Sequence, residues 1–251
     1  MKKQASFFLF ILFLSACTMR NTDIVSDDAL KNDSLVSVVT TIHDTLPPPF
    51  DTTRFDKLAV SSFYTIGIKT GGKIYFSQTK DSVYSVITNV IKNHATQDAD
   101  IVFLIDNTGS MTDDIENVKK NLNKLIDLLK TLQHVRVAVA LYGDKNSDGS
   151  AWYKRTELTP DLETTRKFIH SIYVNGGGDT PESAYDALYK TTNELKWKSS
   201  SKRMILLIGD APGLEPPLTE HNREEVIKNC LKNDIKANVF PVLIDTGLLP
   251  L

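Results

Sequence analysis

The chain has 251 residues, with 29 Lys and Arg against 31 Asp and Glu, and two cysteines. That length accommodates one domain of ordinary size with a sizeable core. The near-even, slightly acidic balance excludes a nucleic-acid surface built on net positive charge.

The chain opens with Lys2 and Lys3, followed by the apolar run Phe7 to Leu14. The run is too short to span a bilayer and reads as an export signal. It ends in Leu14-Ser15-Ala16-Cys17, which resembles the bacterial lipobox. The resemblance implies a signal peptide over 1–16, cleavage before Cys17 and diacylglycerol on its sulfur. Of the two cysteines, Cys17 is then expected to carry a lipid, which leaves Cys230 without an intrachain partner and excludes a disulfide framework. The mature protein would then be anchored in the cell envelope without spanning the membrane. Thr18 stands where many lipoproteins retained at an inner membrane carry Asp, which points to an outer membrane in a diderm source. Residues 17–53 read as a polar tether in which Pro47-Pro48-Pro49 favours extended geometry. One apolar patch, Leu35 to Ile42, leaves room for a short strand.

Residues 54–96 read as a small β/α extension. Phe63 to Ile68 and Lys73 to Ser77 flank Gly71-Gly72 and predict a β-hairpin. Ser82 to Asn93 carries Val83, Val86, Ile87, Val90 and Ile91 at helical spacing. From residue 97 strands and helices alternate. Strands are expected at 100–105, Val135–Leu141, Tyr153–Leu158, Arg203–Ile208 and Ala237–Ile244. Helices are expected at about 113–131, Leu162–Ile172, Pro181–Glu194 and 220–233. The alternation predicts an α/β fold, a doubly wound, mostly parallel sheet with helices on both faces.

The most informative stretch is Ile101 to Met111. Five apolar residues read as a buried strand, and Asp106-Asn107-Thr108-Gly109-Ser110 follows at once. One carboxylate and two hydroxyls are thus presented at the carboxyl end of a strand, where α/β proteins bind ligands. Hard oxygen donors suit Mg²⁺, Ca²⁺ or Mn²⁺ rather than zinc or copper. A glycine-rich segment, Gly176 to Glu182, and the strand end Leu206 to Pro212, which carries Asp210, complete a set of three. Singly each is an ordinary turn, loop or strand end. In this order and these contexts, they resemble the metal-ion-dependent adhesion site of a von Willebrand factor A domain, over residues 97–251.

Asp179-Thr180-Pro181-Glu182, followed by Ala184 to Leu188, is similar to the Asp-x-Pro-Glu stretch of integrin beta-subunit I-like domains, and to hemicentin-type and alpha-kinase-associated A domains. The resemblance implies metal ligands Asp106, Thr108, Ser110 and Asp210. The integrin comparison adds Glu182, which we prefer, whereas the more usual A-domain pattern would use Thr180. Ser110 to Ile115 is similar to the integrin stretch whose paired acids hold an adjacent Ca²⁺, which would assign Asp113 and Asp114 to a second ion. Helix capping is the competing account of those two acids. The resemblance further implies Mg²⁺, with Ca²⁺ or Mn²⁺ as substitutes, and a protein partner that offers a carboxylate to the ion. No catalytic residues are expected, since no base stands beside a nucleophile and all five histidines lie outside the three loops. A metal-independent scaffold of the envelope is the alternative, and a metal-dependent hydrolase a remote one.

Three further features have competing readings. Asp144 to Gly149 begins like a calcium-binding loop, but Arg155 stands where a bidentate Glu is needed, so a polar turn is expected. Cys230 shares a helical face with Val226, Ile227 and Leu231 and reads as core. The family resemblance implies a further helix and strand after 237–244, which are expected to be missing or replaced here. Pro241 cannot donate a ladder hydrogen bond and fits an edge or a bulge. The bared edge is expected to be covered by residues 54–80 or by a second molecule.

Overall fold

The computed structural model describes residues 52–79, 82–112, 115–174 and 181–245. Alternating buried strands and amphipathic helices give, in order, α1 (Lys57–Lys69), β1 (Tyr75–Ser77), α2 (Val83–His94), β2 (Asp98–Asp106), α3 (Ile115–Leu129), β3 (His134–Tyr142), the single turn α4 (Lys145–Asp148), β4 (Tyr153–Arg155), α5 (Leu162–His170), α6 (Ala184–Glu194), β5 (Lys202–Gly209), α7 (Arg223–Cys230) and β6 (Ala237–Ile244). They form one six-stranded sheet in the order β1-β6-β5-β2-β3-β4. Every pairing is parallel except that of the short edge strand β4 with β3. The central strands β2 and β5 are almost wholly buried, as their unbroken apolar runs require.

Period-two alternation assigns the two faces. Ile101, Phe103 and Ile105 of β2 pack in the layer that holds α2, α3 and α5. Val102 and Leu104 point the other way, toward α1, α6 and α7. Helices therefore cover both faces of a doubly wound sheet, as expected.

The extension departs from the expected hairpin. Phe63 to Ile68 lies inside α1, not in a strand. Ala59, Val60, Phe63, Ile66 and Gly67 recur at helical spacing and are buried on one face, and Asp56 caps the start by accepting from the Ala59 N–H at 2.8 Å. Burying that stripe outweighs the local strand preference of aromatic and β-branched residues. The second expected arm survives as β1, which pairs in parallel with β6, Tyr75 opposite Val242 and Ser77 opposite Ile244.

The β6 edge is thus covered by the chain's own residues 54–80. Its polar groups are met in three ways. Below β1, Asn238 donates to the Thr70 carbonyl at 2.8 Å and the Val239 N–H donates to the Thr70 hydroxyl at 3.0 Å. Pro241 has no N–H, and its ring carbon Cδ faces Gly67 instead. Above it β1 continues the ladder. This corrects the expectation that Pro241 marks an edge, since its strand has neighbours on both sides.

The approach is close at the turn. Gly71 has φ +77°, and a Cβ on Gly72 would lie 1.8 Å from the Val239 carbonyl oxygen. Gly72→Ala is therefore expected to destabilise the fold by about 3 kcal/mol or more in urea titration, through backbone displacement rather than lost contacts.

Candidate functional site

β2 and β5 are neighbours, with Ile105 beside Ile208. The helix after β2 packs on one face of the sheet and α7, after β5, on the other. The two connections diverge, and a crevice opens at the carboxyl ends of these strands, the switch point where open α/β sheets bind ligands. Asp106 ends β2 there, and Asp210 follows β5.

Asp106 and Thr108 are fully buried. The Thr108 N–H and hydroxyl both donate to Asp106 Oδ1, at 2.9 and 2.6 Å. The Thr108 hydroxyl lies 3.2 Å from the Ser110 hydroxyl, which donates to Asp210 Oδ1 at 3.1 Å. One chain of oxygens thus links Asp106 to Asp210 across the crevice.

Glu182 enters from a third segment. Its N–H donates to the Pro212 carbonyl at 2.9 Å, and the Leu214 N–H donates to its carbonyl at 2.7 Å. This parallel bridge with Gly213 fixes the residue beside the loop that carries Asp210. The Glu182 side chain is buried, and its Oε2 atom has no hydrogen-bond partner.

Burial first, then the charge of Asp210, pushes the Asp106 carboxyl up to about 7, against the hydrogen bonds from Thr108. Burial first, then Asp106, Asp144 and Asp210, pushes Glu182 up to about 9. Burial is also the main reason that Tyr142 lies well above its ordinary value. Carboxylates forced together in a dry crevice favour either protonation or a cation. Among the described residues no three His, Cys, Asp or Glu side chains form a ready-made cage. A bound ion would need the Thr108 and Ser110 hydroxyls to complete its oxygen shell.

Of the expected ligands, Asp106, Thr108, Ser110, Asp210 and Glu182 converge at this crevice. Thr180 and the glycine run lie outside the described residues, as do Asp113, Asp114 and Cys17. The calcium-like loop is the polar turn expected of it. Asp144 accepts from the Asn146 N–H at 2.9 Å and the Ser147 hydroxyl at 3.0 Å, capping α4. Cys230 is buried in the core, and burial pushes its thiol up to about 12.

Two neighbours of the site are not assigned to it by the sequence: Tyr142, and Asp144, which reads there only as the start of a calcium-like loop. Tyr142 ends β3 opposite Asp106, and its phenol adjoins that carboxylate. Gly209 makes room for it, since a Cβ there would lie 2.6 Å from the Tyr142 oxygen. Asp144 stands two residues past the end of β3. The rule that picked out Asp106 and Asp210, an acid just past a buried strand, would have found it.

Residues 100–244 match the family model described as von Willebrand factor A domain. The chain belongs to that family. Members serve in general as protein-interaction modules, and this chain carries such a domain. Over 121 residues it is 29% identical to an alpha-protein kinase, vwkA, of Dictyostelium discoideum, covering 47% of this chain and 19% of that protein. Over 130 residues it is 25% identical to human integrin beta-4, covering 43% of this chain and 7% of that protein. The chain thus spans a fifth or less of the length of these curated relatives. Among solved structures, BatB from Bacteroides thetaiotaomicron aligns at 17% identity with a TM-score of 0.41, over 58% of this chain and 65% of that one. Among the described residues no helix is long and apolar enough to cross a membrane.

Proposed function

We propose that this A domain holds one divalent cation, Mg²⁺ in the first place, and through it binds a carboxylate of a partner protein. The observation that carries the reading is the convergence of Asp106, Asp210 and Glu182 with two hydroxyls at the switch point, where burial crowds three carboxyls together. When bound, such an ion supplies an open coordination position to an anionic ligand. Asp106, Thr108, Ser110, Glu182 and Asp210 would hold it, directly or through water. A first-loop Asp that already gathers the Thr108 N–H and hydroxyl is oriented before the ion arrives. Ca²⁺ or Mn²⁺ would fit the same oxygen set.

Glu182 is the expected second-loop ligand. Glu182→Gln is expected to weaken Mg²⁺ binding in calorimetry by about tenfold or more, and more than Thr180→Val does. The opposite ranking would support the threonine pattern.

The proposed setting is the bacterial cell envelope, with Cys17 lipidated. The mature amino terminus is expected to be an acylated cysteine in mass spectrometry, and Cys17→Ser to move the protein out of the membrane fraction. A chelator should then separate metal-mediated binding of envelope proteins from metal-independent docking.

A further inference from the structure

Beside the candidate metal crevice lies a second hollow, of about 430 Å³, between the start of α1 and the loop after β5. Leu58, Pro181, Tyr185, Pro212, Leu214 and Leu218 give it an apolar lining, with the charged Asp56, Glu215 and Arg223 also on its walls. Leu58 and Leu218 are each 58% exposed, two of the five large apolar side chains that the described residues leave open to solvent. Exposed apolar residues gathered around a concavity are costly to leave in water and mark a binding surface.

The hollow adjoins the crevice. The bridge between Glu182 and Gly213 separates them, and the residues on either side of it, Pro181 and Pro212, line the hollow. Gly213 also lines it, against Tyr185, where a Cβ would come within 2.5 Å of the ring. The other wall, Leu58, Ser61 and Ser62 of α1 with its cap Asp56, lies outside the matched residues 100–244. The hollow is therefore assembled by the amino-terminal unit of this chain against the loops that flank the metal crevice.

We infer that this hollow takes a large apolar side chain, such as Phe or Leu, from the same partner segment whose carboxylate reaches the cation. The inference rests on the metal reading proposed above. Specificity then has two parts. The ion selects an acid, and the hollow selects an apolar residue at a fixed spacing from it, within a few residues because one bridge separates the two.

The test uses the full chain with Mg²⁺ and a seven-residue peptide of Gly and Ser with one central Asp. Variants carry Phe at each of the other positions in turn, and Ser-only peptides serve as the reference. Phe is expected to raise affinity about tenfold at one or two positions only. Leu58→Lys together with Leu218→Lys, both at exposed positions, should erase that gain while Mg²⁺ uptake persists. Equal affinity for all the Asp peptides would overturn the hollow as a subsite and leave the metal reading standing. So would a Phe gain that survives a chelator or the Asp106→Ala change, because the hollow would then act independently of the ion. A Phe gain that appears only after residues 18–51 are deleted would also overturn it, with the chain's own amino-terminal segment as the occupant. Failure of the chain to bind Mg²⁺ at all would instead sink the metal reading, and this inference with it.

Discussion

Asp106→Ala is expected to abolish Mg²⁺ and Mn²⁺ binding in calorimetry while the far-ultraviolet spectrum stays that of the folded chain. Asp106 is the hub of the crevice, buried, accepting twice from Thr108 and facing Asp210. The expected loss also reads out in stability. A ligand that binds only the folded state stabilises it by about 2.7 kcal/mol at a hundred times its Kd. For a domain of this size that is a rise of roughly 5–10 °C in Tm. The parent protein should show such a rise on adding Mg²⁺, and Asp106→Ala should show none. Removing one of several carboxylates that repel one another also relieves strain in the metal-free crevice. The variant's own Tm should therefore fall less than loss of two buried hydrogen bonds would predict. Parental Mg²⁺ affinity in the variant would refute the site.

The central features of the fold were legible because their physics is local. Ile101 to Ile105 and Met204 to Ile208 are buried on both faces, so an unbroken apolar run announces each, and Ala237–Ile244 was expected at the bounds it has. The acids at their ends, Asp106 and Asp210, follow from position alone. What was not legible depends on partners distant in sequence. The helical face of α1 is blurred by Leu58 and Ile68, apolar residues left exposed, and only packing against β6 and α7 reveals which stripe is buried. Tyr142 looks unremarkable in sequence, and Asp144 reads there only as the start of a polar turn, because their proximity to Asp106 and Glu182 comes from strand order. The coverage of β6 was foreseen as a requirement of a bared edge, whereas the parallel sense of β1 was not.

That coverage carries the second large effect. Phe55, Ala59, Val60, Phe63, Ile66, Ile74 and Phe76 all belong to the buried core, in one cluster with residues of β5, β6, α6 and α7. The unit is also fastened at the top of the sheet, where Arg54 pairs with the buried Asp245 at 2.6 Å and the Asp245 N–H donates to the Ser77 carbonyl at 2.9 Å. Phe63 is fully buried, so Phe63→Ala is expected to cost about 3–5 kcal/mol, in the range found for aromatic truncation in a core. Loss of the whole unit is more severe. Deleting residues 18–80 bares the β6 edge and strips one sheet face of α1, leaving unpaired backbone groups beside Val239 and Leu243. The shortened chain is expected to aggregate or to melt without a cooperative transition, as measured by light scattering and calorimetry. A monomeric, soluble product as stable as the parent would mean that the domain ends at β6 and that α1 and β1 are only appended to it. A Phe63→Ala variant that loses several kcal/mol yet still binds Mg²⁺ would place the unit in the fold and leave the metal crevice to the loops after β2 and β5.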